Sequence, residues 1–181
     1  MDTLARAVNA IDWINRCVGR VVAWLTLATV LICAAVVLLR YSAGMGFVWM
    51  QELYIWTHAM TFLLAAGFAY LLNAHVRVDI FYAKMGPRGK AWVDLFGVIF
   101  LLMPWLVLLG WTSWTYVTYS WQTGEISVQN NGMPAMYILK SAILGFVALL
   151  GLQGLAWAGR SILVLGGREP PPHETLTGPL G

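Results

Sequence analysis

The feature that most constrains this chain is a run of twenty residues without a formal charge, Leu53 to Leu72. In a helix it rises about 30 Å, the thickness of a bilayer's hydrocarbon core. Polar clusters bracket it. Arg40-Tyr41 and Trp49-Met50-Gln51-Glu52 come before, and His75-Val76-Arg77-Val78-Asp79 comes after. The run therefore reads as a membrane span whose flanking charges lie at or near opposite surfaces. Further apolar runs accompany it, and the whole chain of 181 residues is 60% hydrophobic and only 10% charged. Soluble domains carry about 25% charged residues. The fold class that follows is an all-α membrane protein with four transmembrane helices and short interfacial amphipathic helices.

The expected order is as follows. Residues 1–16 form an amphipathic helix on the membrane surface, with Leu4, Val8, Ile11 and Ile14 on one face and Arg6, Asn9 and Arg16 elsewhere. The run after it is long and follows mixed charges, so it is expected to stay as an uncleaved first span. Residues 17–165 form a four-helix membrane domain, with spans at about 21–39, 48–72, 91–118 and 136–165. Ser42 to Gly46 is a turn of small residues, Val78 to Met85 offers a second amphipathic turn, and Gly86-Pro87 breaks it. Pro104 is expected to kink the third span. Ala65, Ala66, Gly67 and Ala69 in the second span, and Gly145, Ala148, Gly151, Gly154 and Ala158 in the fourth, predict close helix approach. Residues 166–181, with three consecutive prolines, read as a disordered tail.

Charge placement gives the orientation. With the N-terminus cytoplasmic, nine of the eleven Lys and Arg fall inside: Arg6, Arg16, Arg20, Arg77, Lys84, Arg88, Lys90, Arg160 and Arg168. Arg40 and Lys140 fall outside. The positive-inside rule then predicts both termini on the cytoplasmic side.

Glu52 is the most informative single residue. A carboxylate just inside a span is costly unless it is paired or hydrated, although the helix N-terminus lowers the cost. Arg40 and Lys140 are its candidate partners, and Glu125 is the candidate mate of Lys140. The structural reading is an interhelical or intersubunit ion pair; the functional alternative is a proton or cation carrier. His75 and Asp79 are four apart and would share a helix face, flanking Arg77. Thr57, His58, Thr61 and Gln153 are polar groups inside spans, best read as bonding neighbouring helices. Trp111, Trp114 and Trp121 suggest an interface belt or a subunit contact.

Several chemistries are excluded or disfavoured. Cys17 and Cys33 stand about 24 Å apart on one helix, too far for a disulfide. No metal site is expected. His58 and His75 are about 25 Å apart and cannot share a haem iron. No nucleotide loop, nucleophile elbow or basic nucleic-acid patch is present. The middles of spans 1, 2 and 4 carry few polar groups, whereas a self-sufficient transporter wants polar or broken helices there. An accessory subunit fits better.

These clusters, in this order, resemble the small membrane subunit of the tripartite ATP-independent periplasmic (TRAP) transporters, the DctQ-like family. The resemblance covers about residues 17–165. It rests on Arg40-Tyr41, Trp49 and Gln51-Glu52, His75-Val76-Arg77-Val78-Asp79, Gly124-Glu125-Ile126-Ser127, Gly132-Met133-Pro134 and Lys140. It implies a small permease subunit of the bacterial inner membrane, not an enzyme, that partners a large multi-span permease subunit and a periplasmic substrate-binding protein. The large subunit would bind sodium and an organic acid, a carboxylate such as a 2-oxo acid, and move as an elevator against a static scaffold. No cofactor is implied for the small subunit itself; phospholipid is the one ligand class it would meet. Arg40, Glu52 and Lys140 would then stabilise the outer half of the scaffold, and His75, Arg77 and Asp79 the inner half. Ser127, Gly132 and Pro134 would lie on the periplasmic face. The alternative is a stand-alone multidrug or cation exporter using Glu52 as a proton-coupled carboxylate.

Overall fold

The computed structural model describes residues 2–75 and 79–168. Four helical stretches are long and apolar enough to cross a membrane. The first is α1, Asp2–Ser42. The second is α2, Val48–Leu64, continued by α3, Ala66–Leu71. A single turn, α4, Asp79–Tyr82, precedes the third stretch. That stretch comprises α5, Pro87–Phe96, a π-helical segment, Gly97–Leu102, and α6, Met103–Thr123. The fourth is α7, Met136–Leu165. No strand occurs among the described residues. Of the tail expected over 166–181, residues 169–181 lie outside the described residues; Gly166 and Gly167 form a turn.

The helix α7 is the centre of the bundle. It packs against α1, α2, α3, α5, the π segment and α6. On one side α1 pairs with α2 and α3; on the other, α5 and α6 lie along α7. Small residues make this possible. A Cβ on Gly145 would lie 2.7 Å from Leu64 Cδ2, and one on Gly154 would lie 2.8 Å from Leu102 Cδ2. Ala148, by contrast, is exposed. Val98 of the π segment packs into a buried cluster with Trp157 and Ala158.

The N-terminal segment differs from expectation. In place of a surface helix over 1–16 followed by a separate span, α1 runs unbroken for 41 residues, about 60 Å. The face it buries keeps Val8 from the expected one but turns Ile14 out. Val8, Asp12, Asn15, Gly19 and Val22 are buried, whereas Ile14 is exposed. Their alternating spacing of four and three is a single helical stripe. Nothing between residues 16 and 21 breaks a helix, and a stripe carrying Asp12 and Asn15 is turned inward because lipid cannot hydrogen-bond them.

Pro104 has no N–H and its ring crowds the preceding turn. The π segment immediately before it widens that turn.

Gly67, in α3, is the tightest crossing. A Cβ there would lie 2.1 Å from Asn15 Oδ1 and 2.9 Å from the Leu149 carbonyl oxygen. The second neighbour is backbone and cannot rotate away. Gly67→Ala is therefore expected to cost about 1–3 kcal/mol of stability by overpacking. Unfolding of the purified variant in mixed detergent micelles measures this, and wild-type stability would mean that α3 and α7 do not approach so closely.

Candidate functional site

The polar groups gather at the two ends of the bundle. At the first end, α2 places Glu52 one turn past its start, beside the segment 124–135 that joins α6 to α7. The Ser127 hydroxyl donates to Glu52 Oε1, and the Met133 N–H donates to Glu52 Oε2. Ser127 also accepts the Gln129 N–H at 3.1 Å, and its own N–H donates to the Met133 carbonyl at 3.1 Å. The loop therefore folds around one carboxylate. Gly132 is the residue that leaves room: a Cβ there would sit 2.5 Å from Ser127 Oγ and 2.7 Å from Glu52 Oε2. Pro134 is exposed in the turn before α7.

The same loop is fastened at its base. Lys140, in the first turns of α7, forms an ion pair with Glu125. Its ammonium also lies 3.9 Å from the centroid of the Tyr116 ring. The Met136 N–H donates to the Glu125 carbonyl at 2.8 Å. Trp121 Nε1 donates to Ser141 Oγ at 2.8 Å, and its ring lies 4.4 Å from that of Tyr137, the planes tilted by 49°. Trp111 and Trp114 point outward, exposed.

The Lys140 ammonium holds the Glu125 carboxyl below its usual range. A lowered carboxylate contributes stability above its unfolded value, about 4.3, and loses it as pH falls through the folded value. Glu125→Gln is therefore expected to be less stable than wild type at neutral pH, with the difference vanishing in acid. Melting curves of both proteins across pH 3–7 in one detergent test this. A gap that persists at the acid end would rule the ion pair out as its source.

Arg40, expected as a partner of Glu52, instead ends α1 exposed, and the carboxylate takes its hydrogen bonds from the loop. The reason is geometric. Arg40 belongs to the last turn of α1, while the loop closes over the start of α2.

At the opposite end lies a constellation that sequence reasoning missed. Asn15 Nδ2 donates to Gln153 Oε1 at 2.9 Å, and Gln153 Nε2 donates to Asp12 Oδ1 at 3.0 Å. Arg160 Nη2 donates to Asp12 Oδ2, completing a buried ion pair. Exposure is 6% for Asp12, 1% for Asn15, 0% for Gln153 and 3% for Arg160. The signal was available. Asp12 and Asn15 are three apart, and Gln153 and Arg160 seven apart, so each pair shares one helix face. Polar residues on a face that must avoid lipid turn toward each other.

Of the other polar residues within spans, Thr57 Oγ1 accepts from Thr29 Oγ1 at 2.7 Å, linking α1 to α2. Thr61 bonds its own helix at the Thr57 carbonyl, and His58 is exposed. His75 is exposed and meets the Tyr70 ring edge-on at 5.6 Å. Arg77 lies outside the described residues, as does the side chain of Asp79.

Four apolar spans, tied together by polar side chains and closed at one end by a loop clasped to Glu52, define a multi-pass membrane protein. The chain belongs to the DctQ family, a component of the tripartite ATP-independent periplasmic transporters; the family model matches residues 28–162. It is thus a small permease subunit of a TRAP transporter, in a family of transporter components and not of enzymes. Neither the curated proteins nor the solved structures compared with it gave a match.

Proposed function

We propose that this chain is the static scaffold subunit of a sodium-coupled, binding-protein-dependent importer of organic acids. Its partners are a large elevator-type permease subunit, which holds the sodium and substrate sites, and a periplasmic substrate-binding protein. The substrate class is a carboxylate such as a 2-oxo acid. The chain lies in the bacterial inner membrane with both termini cytoplasmic. Nine of its eleven Lys and Arg then lie on the cytoplasmic side. The loop over Glu52 faces the periplasm, within reach of the binding protein. His75, Arg77 and Asp79 then support the inner side, and Arg40, Glu52 and Lys140 the outer.

One observation carries the scaffold reading: polar side chains between the spans are engaged in tying helix to helix. Thr29 bonds Thr57, Asn15 and Asp12 bond Gln153 and Arg160, and Glu52 is taken up by its loop. Such groups rigidify a bundle. A carboxylate engaged by two donors is also a poor fit to the exporter alternative, in which Glu52 must exchange its proton and cargo freely.

The test is affinity purification of the tagged chain from its native membrane in mild detergent, followed by mass spectrometry and reconstitution. The expected result is a stoichiometric large multi-span partner, and a complex that takes up a carboxylate only with the binding protein and an inward sodium gradient. A homo-oligomer that transports alone would overturn the scaffold role.

A further inference from the structure

A cavity of about 340 Å³ opens between α5 and α7, at the end of the bundle opposite the Glu52 loop. That volume is in the range of small-ligand sites, about 300–1,000 Å³. Its described lining includes Asn73, Tyr82, Lys90, Asp94, Trp157 and Arg160. We propose that it binds a phosphate group, supplied by the headgroup of a membrane phospholipid.

Arg160 calls for an acceptor in this cavity. Its Nη2 is committed to Asp12, but Nε and Nη1 are buried without a hydrogen-bond partner. A buried guanidinium with unmet donors is costly, and a bound acceptor is what removes the cost. Asn73 Oδ1, in the same lining, is also buried and unpartnered. That amide suits a headgroup offering a hydroxyl or ammonium beside its phosphate.

The field at the cavity also suits an anion. Lys90 lines it, with its ammonium 5.4 Å from the Tyr82 ring centroid. Pro87 and Lys90 bring in the first turn of α5, a helix of ten residues whose N-cap, Gly86, supplies no side-chain cap. Pro87 has no N–H and the Lys90 N–H donates to the Gly86 carbonyl at 3.0 Å, so the helix contributes the positive end of its dipole, which favours an anion there. One carboxylate, Asp94, also lines the cavity and accepts the Tyr82 hydroxyl at 2.8 Å; Asp12 holds Arg160 from the α1 side. With Asp12 balancing Arg160 and Asp94 balancing Lys90, the helix terminus tips the field toward an anion, and the free Arg160 donors give it a place to bind.

The position of the cavity selects a lipid headgroup. The cavity sits where α5 begins and α7 nears its end, the depth of headgroups for helices that span the membrane. Trp157 and Val164 give it apolar wall for the glycerol and first acyl carbons. A free phosphate ion would have no use for that wall.

The experiment uses the chain with whatever partner copurifies, stripped of lipid by detergent exchange. Phosphatidylglycerol, diacylglycerol with the same acyl chains, and inorganic phosphate are added in turn and retention is read by native mass spectrometry. The expected result is one retained phosphatidylglycerol per chain and no retained diacylglycerol. Lys90→Gln should weaken retention about tenfold, the loss of one charged hydrogen bond. Asp94→Asn should strengthen it, which a purely structural role would not do. Both variants leave the Asp12–Arg160 pair intact, so folding is preserved. Binding of inorganic phosphate as tight as that of the lipid would support the phosphate site but make the free ion its ligand. Equal retention of diacylglycerol, or indifference to both substitutions, overturns the proposal.

Discussion

Asp12→Ala is expected to destabilise the protein by about 3–5 kcal/mol, the range for removing one partner of a buried ion pair. The effect is large because Arg160 is 3% exposed and loses the one carboxylate that pairs with its charge. Gln153 would lose its acceptor in the same step. The damage is not the loss of an attraction so much as the stranding of a charge. The double variant Asp12→Leu/Arg160→Met removes both charges and should therefore recover most of the loss, since apolar pairs of similar volume often replace buried ion pairs without cost. Unfolding of the single and double variants in mixed micelles gives the comparison. A loss below about 1 kcal/mol for Asp12→Ala would place the pair with solvent-exposed ones. The consequence for function is local: this network fixes the N-terminal part of α1 to α7, so the single variant should also raise hydrogen exchange over residues 8–22 before it affects the rest.

Glu52→Ala should cost about 1.5–3 kcal/mol, the scale of hydrogen bonds to a charged group. It strands the Met133 N–H and the Ser127 hydroxyl together. The loop 124–135 should then open at its tip while its base, fastened by the Glu125–Lys140 pair, holds. Faster exchange of the Met133 amide, with the α7 amides unchanged, is the expected signature. Glu52→Gln should be much milder. Its carbonyl can accept the Met133 N–H and its amide can donate to Ser127 Oγ, because the hydroxyl can turn. Gly132→Ala should reproduce the alanine phenotype with Glu52 still present, since the added Cβ would lie 2.7 Å from Oε2. Transport by the assembled complex separates the readings. With Glu52 as a clasp, Glu52→Gln keeps transport with an unchanged pH profile. With Glu52 as a proton carrier, the same variant abolishes it.

The fourth span read from the sequence, 136–165, coincides with α7, Met136–Leu165. The second, 48–72, is α2 with α3, Val48–Leu64 and Ala66–Leu71. The Glu125–Lys140 pair was legible because the two residues lie close in sequence, across one loop. Gln153 was legible as a group that bonds a neighbouring helix, but not which one. Asp12 and Arg160 were not legible as partners. Residues 1–16 show an apolar periodicity through Leu4, Val8, Ile11 and Ile14, which suits a helix lying on lipid equally well. The competing polar stripe through Asp12 and Asn15 is decisive only once α7 supplies Gln153 and Arg160.

What the sequence determined by itself is therefore the number of spans and the DctQ membership. Those depend on local quantities: hydropathy over about twenty residues, and short clusters at the helix ends. The tertiary structure alone decided which face of α1 turns inward, which donors hold Glu52, and that Arg160 is left with two nitrogens facing no protein acceptor. The physical reason is that the hydrocarbon core of the bilayer offers no hydrogen bonds, so polar groups turned into the bundle pair with one another where packing allows. Which partner it finds depends on helix packing that brings residues as distant as Asp12 and Arg160 together, and no local pattern encodes that distance.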